Sequence, residues 1–314
     1  MSTGFIFPGQ GSQAVGMGKA LADTFASARE VFAEVDSALD QNLTHIIWEG
    51  PAEKLTLTEN AQPALMATSI AVMRVLETEA GLDLARDVRL VAGHSLGEYS
   101  ALAAAGALSV ADTARLVRIR GRAMQQAVPA GAGAMAALLG LDFTQASAVA
   151  AQASQDKVCQ AANDNGGGQV VVSGDKAAVE RAVEIAKAMG ARRAIMLPVS
   201  APFHCALMQP AADVMAEALA SVKIKQPVVP VVANVSAKPI SDPHEIVSAL
   251  IAQVTGTVRW RESVTAMTQA GVDCFYEIGA GKVLSGLVKR IVPAAQALAI
   301  GMPQDIAAFR ADRS

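Results

Sequence analysis

Gly93-His94-Ser95-Leu96-Gly97-Glu98 places a serine between two glycines, after an apolar run at 88–92 and before an Ala- and Leu-rich run at 96–107. The first run reads as a short buried strand and the second, free of internal proline, as a helix. A G-x-S-x-G segment at a strand-to-helix turn is a nucleophile elbow. The sharp turn lifts the hydroxyl above the sheet, and the glycines let neighbouring backbone pass close by. The following helix aims N–H groups and a partial positive charge at a developing oxyanion. Ser95 is the candidate nucleophile.

A serine nucleophile needs a base, and the chain has four histidines. His45 and His244 lie in polar surroundings and read as surface residues. His94 adjoins Ser95, but neighbours on an elbow point in different directions, which suits a flanking role. His204 remains, in the irregular segment Ser200-Ala201-Pro202-Phe203-His204-Cys205, and is the candidate base. Hydrolases with this elbow place an acid between serine and histidine in the chain. Here Asp142, Asp156 and Asp175 have no obvious strand-end position, so a dyad with a carbonyl orienting the imidazole is expected.

Arg120 falls on a helix expected to begin near Ser109, where Asp112 completes a variant capping box. Arg115, Arg118 and Arg122 share one face of it and read as a solvated stripe. Arg120 shares a face with Leu116, Ala123 and Met124, turned toward the core. A buried guanidinium needs a partner. A structural salt bridge and bidentate capture of a substrate carboxylate both satisfy that need, and spacing leaves both open. Two glycine segments, Gly9-Gln10-Gly11-Ser12-Gln13-Ala14 and Gly279-Ala280-Gly281-Lys282, look like nucleotide loops only superficially. No acidic residue closes a second strand after the first, and the second lacks phosphate-loop spacing. The first can instead supply a backbone N–H to an oxyanion hole.

These residues need a scaffold. A strand at 3–7, helices at 18–39 and 63–80, the elbow, and a helix to about 127 alternate as in a parallel sheet covered by helices. The pattern changes after Pro129-Ala130-Gly131. Strands at 135–139, 158–162, 169–173 and 194–197 with helices at 144–154 and 176–189 give βαββαβ, a ferredoxin-like order. The larger pattern resumes with a helix at 211–219 and strands at 228–234 and 274–278. The expectation is an α/β chain with a large discontinuous unit, 1–129 and 199–314, and a small subdomain, 130–198, inserted in it.

Composition agrees with a packed protein: 52% apolar against 18% charged residues can bury a core. A net charge of −3 gives no reason to expect nucleic-acid binding. Met1-Ser2-Thr3-Gly4 begins no signal-peptide pattern. The uncharged stretches 123–141 and 194–212 are broken by proline and do not read as membrane spans. Three scattered cysteines, Cys159, Cys205 and Cys274, suggest no disulfide framework or metal site, so a cytoplasmic location is expected.

Phe7-Pro8-Gly9-Gln10-Gly11-Ser12-Gln13, Gln62-Pro63-Ala64, Gly93-His94-Ser95-Leu96-Gly97-Glu98-Tyr99, Arg120-Gly121, Phe203-His204 and Glu277-Ile278-Gly279-Ala280-Gly281-Lys282-Val283-Leu284 together resemble the malonyl-CoA:acyl carrier protein transacylase family, in order and spacing over nearly the whole chain. The resemblance implies an α/β-hydrolase-like core with a parallel sheet and an inserted ferredoxin-like subdomain. It implies ping-pong transfer of malonyl from malonyl-CoA through Ser95 to the phosphopantetheine thiol of acyl carrier protein, supplying fatty acid elongation, with no cofactor and no metal. His204 would take the serine proton, backbone N–H groups of Gln10 and Leu96 would hold the oxyanion, and Arg120 would pair with the malonyl carboxylate. The Gln253 carbonyl would orient the histidine, and Asn163 falls where the family has a polar residue near the mouth. Phe203 departs from the small polar residue that bacterial members often carry there. In related acyltransferases a Phe-His pair goes with malonyl, and crowding by the ring would disfavour methylmalonyl by about 1–3 kcal/mol. A monomer is expected, with Arg192, Arg193, Lys289 and Arg290 as candidate contacts for an acidic carrier protein. The rival readings are a serine esterase or thioesterase, which would have no need of Arg120, and a non-catalytic carrier-binding subunit.

Overall fold

The computed structural model describes residues 2–199 and 201–311. Met1, where the leader reading begins, Ser200 of the expected histidine segment, and 312–314 of the expected large unit lie outside the described residues. Among the described residues there are ten strands: β1 (Thr3–Phe7), β2 (Leu90–Gly93), β3 (Gly133–Leu139), β4 (Cys159–Asp164), β5 (Gln169–Asp175), β6 (Arg193–Met196), β7 (Val231–Val232), β8 (Pro239–Ile240), β9 (Cys274–Ile278) and β10 (Gln296–Ile300).

Six of them form one sheet in the order β10-β9-β1-β2-β7-β8, parallel except where β8 turns back along β7. β1 shows why it is central. Phe5, Ile6 and Phe7 are all fully buried, the continuous apolar run that a strand covered on both faces requires. Phe5 and Phe7 pack with the helices Thr58–Ala80 and Val110–Gln126, whereas Ile6 faces Trp260, Val264 and Met267 on the other side.

The second sheet has the order β4-β5-β3-β6 and is antiparallel throughout. With helices Phe143–Ser154 and Lys176–Ala188 it makes the βαββαβ unit expected from the sequence. Alternation along β3 divides its faces. Ala134, Ala136 and Leu138 pack under those two helices, while Met135 and Ala137 join the main core. The unit thus turns one apolar face toward the larger sheet.

Several expectations shift. The strand expected at 228–234 shrinks to β7, because Pro227 and Pro230 cannot donate to a ladder and Val228 is 59% exposed. The helix expected at 18–39 divides into Lys19–Thr24 and Ala26–Leu39 at the extended residue Phe25, whose ring packs against the core. The helix after the elbow stops at Ala104, before Gly106 takes a positive φ. Arg118 does not belong to a solvated stripe. It is only 6% exposed, and its Nη1 donates to Gln41 Oε1 at 2.6 Å. β8, β10 and the helices Pro243–Thr255 and Val283–Ile291 were not foreseen. Among the described residues no helix is long and apolar enough to cross a membrane, and no His, Cys, Asp and Glu group could hold a metal.

Candidate active site

β2 delivers the chain to the elbow at the C-terminal edge of the large sheet, where parallel α/β sheets present their ligand sites. The two glycines are steric requirements. A Cβ on Gly93 would run into the backbone of Gly97, and one on Gly97 would strike the Phe7 carbonyl oxygen. Ser95 between them holds φ 54°, the left-handed conformation that L-residues avoid, and His204 is held likewise at φ 60°.

These two strained residues face each other. Ser95 Oγ lies 2.8 Å from His204 Nε2, and His204 Nδ1 lies 2.9 Å from the Gln253 carbonyl oxygen. A carbonyl can only accept, so Nδ1 carries the proton and Nε2 is left as a bare acceptor for the serine O–H. Burial, and next the charge of Arg120, push the His204 pKa down to about 3, partly opposed by the bond to Gln253. The imidazole is therefore neutral across the physiological range. Among the described residues no acid completes a triad, and two of the aspartates considered for that place serve elsewhere: Asp142 caps the helix Phe143–Ser154, and Asp175 accepts from Val158 N.

Arg120 is 1% exposed, and its guanidinium meets neutral oxygens only. Nη1 donates to Gln62 Oε1 (2.9 Å), and Nη2 donates to Gln253 Oε1 (2.8 Å) and to Ser95 Oγ (3.0 Å). Three of the five donors are thereby taken. Nε is buried with no partner. The structural salt bridge left open by the sequence does not form, since among the described residues no carboxylate lies within 4.0 Å of the group. What remains is a desolvated cation beside the Ser95 hydroxyl, with donors to spare.

A second layer ties these groups together. Gln253 Nε2 donates to Ser95 O (3.0 Å) and to Glu98 Oε2 (2.7 Å). Asn234 N donates to the same Glu98 oxygen (3.0 Å), and Asn234 Oδ1 accepts the Ser95 N–H (2.8 Å). Burial raises the Glu98 pKa to about 7, opposed by Gln253, Asn234 and Arg120. Sequence reasoning assigned no role to Gln62, Glu98, Asn234 or the Gln253 side chain. For Glu98 a signal existed: it is the one charged residue in the short helix Gly97–Ala104, whose first six residues are all buried.

The other expected residues gather on a cleft of about 440 Å³ between the two sheets. Gln10, Leu96, Asn163 and Phe203 line it with Ser95, Arg120 and His204, while Met135, Val171 and Leu197 form its opposite side. Among the described residues the backbone N–H groups of Gln10 and Leu96 donate to no protein acceptor, unlike those of Gly97 and Glu98 beside them. His94 also reaches the cleft but is engaged elsewhere, with Nε2 2.9 Å from Asn165 Oδ1 and its ring against Trp260. His45 and His244 are exposed, as are Arg192, Arg193, Lys289 and Arg290. Arg290 Nη1 donates to Gln169 Oε1 at the rim.

The acyl transferase domain family matches residues 4–308. The malonyl CoA-acyl carrier protein transacylase of Escherichia coli strain K12 is 47% identical over 304 residues, covering 97% of each chain. This chain belongs to that family. An acyl-carrier-protein-S-malonyltransferase from Bartonella henselae has a crystal structure that superposes with a TM-score of 0.97 at 56% identity, covering all of both chains. A malonyl-transacylase solved in complex with its type II PKS acyl-carrier protein superposes with a TM-score of 0.96 at 42% identity, covering 99% of this chain and 100% of that one. The α/β architecture with two separate sheets is thus the malonyl CoA-acyl carrier protein transacylase fold.

Proposed function

We propose that this chain transfers malonyl from malonyl-CoA to the phosphopantetheine thiol of an acyl carrier protein through a malonyl ester on Ser95, supplying fatty acid elongation. The observation that carries the reading is Arg120, a buried cation without a carboxylate that donates to the serine oxygen at 3.0 Å. A malonyl group on that oxygen brings its own carboxylate to the guanidinium, and an acetyl group does not.

Ser95 Oγ attacks the thioester carbonyl as its proton passes to His204 Nε2. The Gln10 and Leu96 N–H groups, which have no acceptor among the described residues, stabilise the resulting oxyanion. The C–S bond breaks and the coenzyme A sulfur leaves with the proton from His204. The carrier thiol then gives its proton to His204 and attacks the ester, returning Ser95. The Gln253 carbonyl holds the imidazole in the tautomer that this sequence needs. Asn163 lies along the path of the arm at the cleft mouth, and Phe203 narrows the space beside the acyl carbon. The residues present need no cofactor or metal for these steps.

The small unit, 130–198, forms one side of the cleft and the large unit, 1–129 and 199–314, carries the reacting groups. The chain works as a cytoplasmic monomer whose partners are malonyl-CoA and an acidic carrier protein, with no nucleic acid or membrane. Arg192, Arg193, Lys289 and Arg290 receive the carrier. Intact mass after mixing with malonyl-CoA tests the reading. A malonyl adduct that requires Ser95 and discharges to a carrier thiol is the expected result. Free malonate without an adduct would indicate a hydrolase, and no chemistry at all a binding subunit.

A further inference from the structure

The orientation of one amide decides what Arg120 meets. Gln253 presents Nε2 to Glu98 Oε2 and to the Ser95 carbonyl, and Oε1 to Arg120 Nη2. The reverse orientation would set an amide oxygen against a carboxylate and a carbonyl, and an NH2 group against a guanidinium. Of the three acceptors that enforce the observed orientation, the Ser95 carbonyl is shared with the Glu98 N–H of the elbow and Asn234 Oδ1 is the most distant, at 3.5 Å. Glu98 is the one that carries a charge, once ionised above its raised pKa of about 7, and hydrogen bonds to a charged acceptor are roughly twice as strong as those between neutral groups. It is also firmly placed. Its Oε2 accepts from Asn234 N, and Asn234 Nδ2 donates to Gly93 O, so the carboxylate is tied to both ends of the elbow.

We propose that Glu98 is a positioning residue for acyl selection: by fixing the Gln253 amide it aims the Arg120 guanidinium at the carboxylate of a Ser95-bound acyl group. It acts through Gln253 and makes no ion pair with Arg120. The carboxylate also balances the buried cation from a distance, so the guanidinium keeps its free donors for the substrate. Without an acceptor at position 98 the Gln253 amide keeps only the shared Ser95 carbonyl and the longer contact to Asn234 Oδ1 at 3.5 Å, and the clamp loses its aim. The proposal rests on the carboxylate-clamp reading above.

The test compares kcat/KM for malonyl-CoA and acetyl-CoA in the wild type, Glu98→Gln and Glu98→Leu. Glu98→Leu should cut the malonyl-to-acetyl ratio about 100-fold, less than the roughly 10⁴–10⁵ of a directly lost polar contact because Glu98 acts through Gln253. Glu98→Gln keeps an oxygen acceptor and should restore most of the ratio. If Glu98→Leu does not fold, Gln253→Leu interrupts the same relay and must lower the ratio similarly. A proportional fall for both substrates, or a Gln variant no better than Leu, would overturn the proposal and leave the clamp standing. A wild type with no malonyl preference would remove the clamp itself, and this proposal with it.

Discussion

On the β2 side of the cleft, Ser95, Arg120, Gln253, Glu98 and Asn234 form one hydrogen-bonded chain in which each group holds the next. On the β3–β5 side, Met135, Val171 and Leu197 offer apolar surface with no hydrogen bond joining their side chains. The first side holds the groups proposed to react, and its members depend on one another. The second gives shape, and each side chain there contributes by its own volume. Substitutions should therefore be severe and coupled on the polar side, graded and independent on the apolar side.

The largest effect tests the polar side at its end point. Ser95→Ala should abolish the malonyl adduct and lower transfer by at least about 10⁴-fold; an adduct in that variant, read by intact mass, would move the nucleophile elsewhere. Arg120→Ala should reduce kcat/KM for malonyl-CoA by roughly 10³-fold, consistent with losing a buried charged contact, while acetyl-CoA changes far less. The same variant sharpens the pH argument. Burial and Arg120 hold the His204 pKa near 3, so acylation rates in the wild type should show no histidine limb between pH 5 and 8. Removing the Arg120 charge removes one of those two causes, so a limb should rise from the acid side.

Glu98→Gln breaks the comparison in stability instead of rate. The folded pKa of Glu98 is raised to about 7, so native protein holds a proton that the unfolded chain has released above the ordinary carboxylate value. That favourable difference is full at low pH and is lost as pH rises through about 7. The neutral variant should be more stable than wild type by about 1–3 kcal/mol at pH 8 and no more stable at pH 4, measured by urea unfolding. At the edge of the apolar side, Phe203→Ala should reduce malonyl over methylmalonyl selectivity by about tenfold, near the lower end of what a crowded methyl is worth. The smallest change is expected at the rim. Arg290→Glu should raise KM for the carrier protein several-fold and leave that for malonyl-CoA alone, since exposed charges act mainly on encounter.

Legibility in the sequence followed the same division. The elbow was readable because its glycines, serine and flanking apolar runs are contiguous. The βαββαβ unit was readable because its elements pair locally. Arg120 could be assigned to a buried face, yet its partners come from Gln62 and Gln253, which no local pattern connects to it. Glu98 and Asn234 meet only through the sheet order, which periodicity does not encode. Arg118 was misjudged because the face it shares with Arg115 and Arg122 looks solvated in the helix alone, and only the packing of Gln41 over it reveals otherwise. β10 escaped notice because residues 296–300 alternate in a short run without a distinctive boundary.

The pairing of Thr3 with Cys274 has a consequence for how the chain comes into being. β3 to β6 can assemble as soon as residues 133–196 have left the ribosome, because every partner is close in sequence. β1 cannot. One of its edges waits for β9, far later in the chain at 274–278, and loop closure over such a span slows folding. During translation the central strand of the catalytic sheet therefore stands with one edge of unpaired N–H and C=O groups between faces that carry the apolar Phe5, Ile6 and Phe7, the kind that invites pairing with the wrong neighbour. A segment buried in the finished enzyme is its main aggregation hazard while the chain is growing.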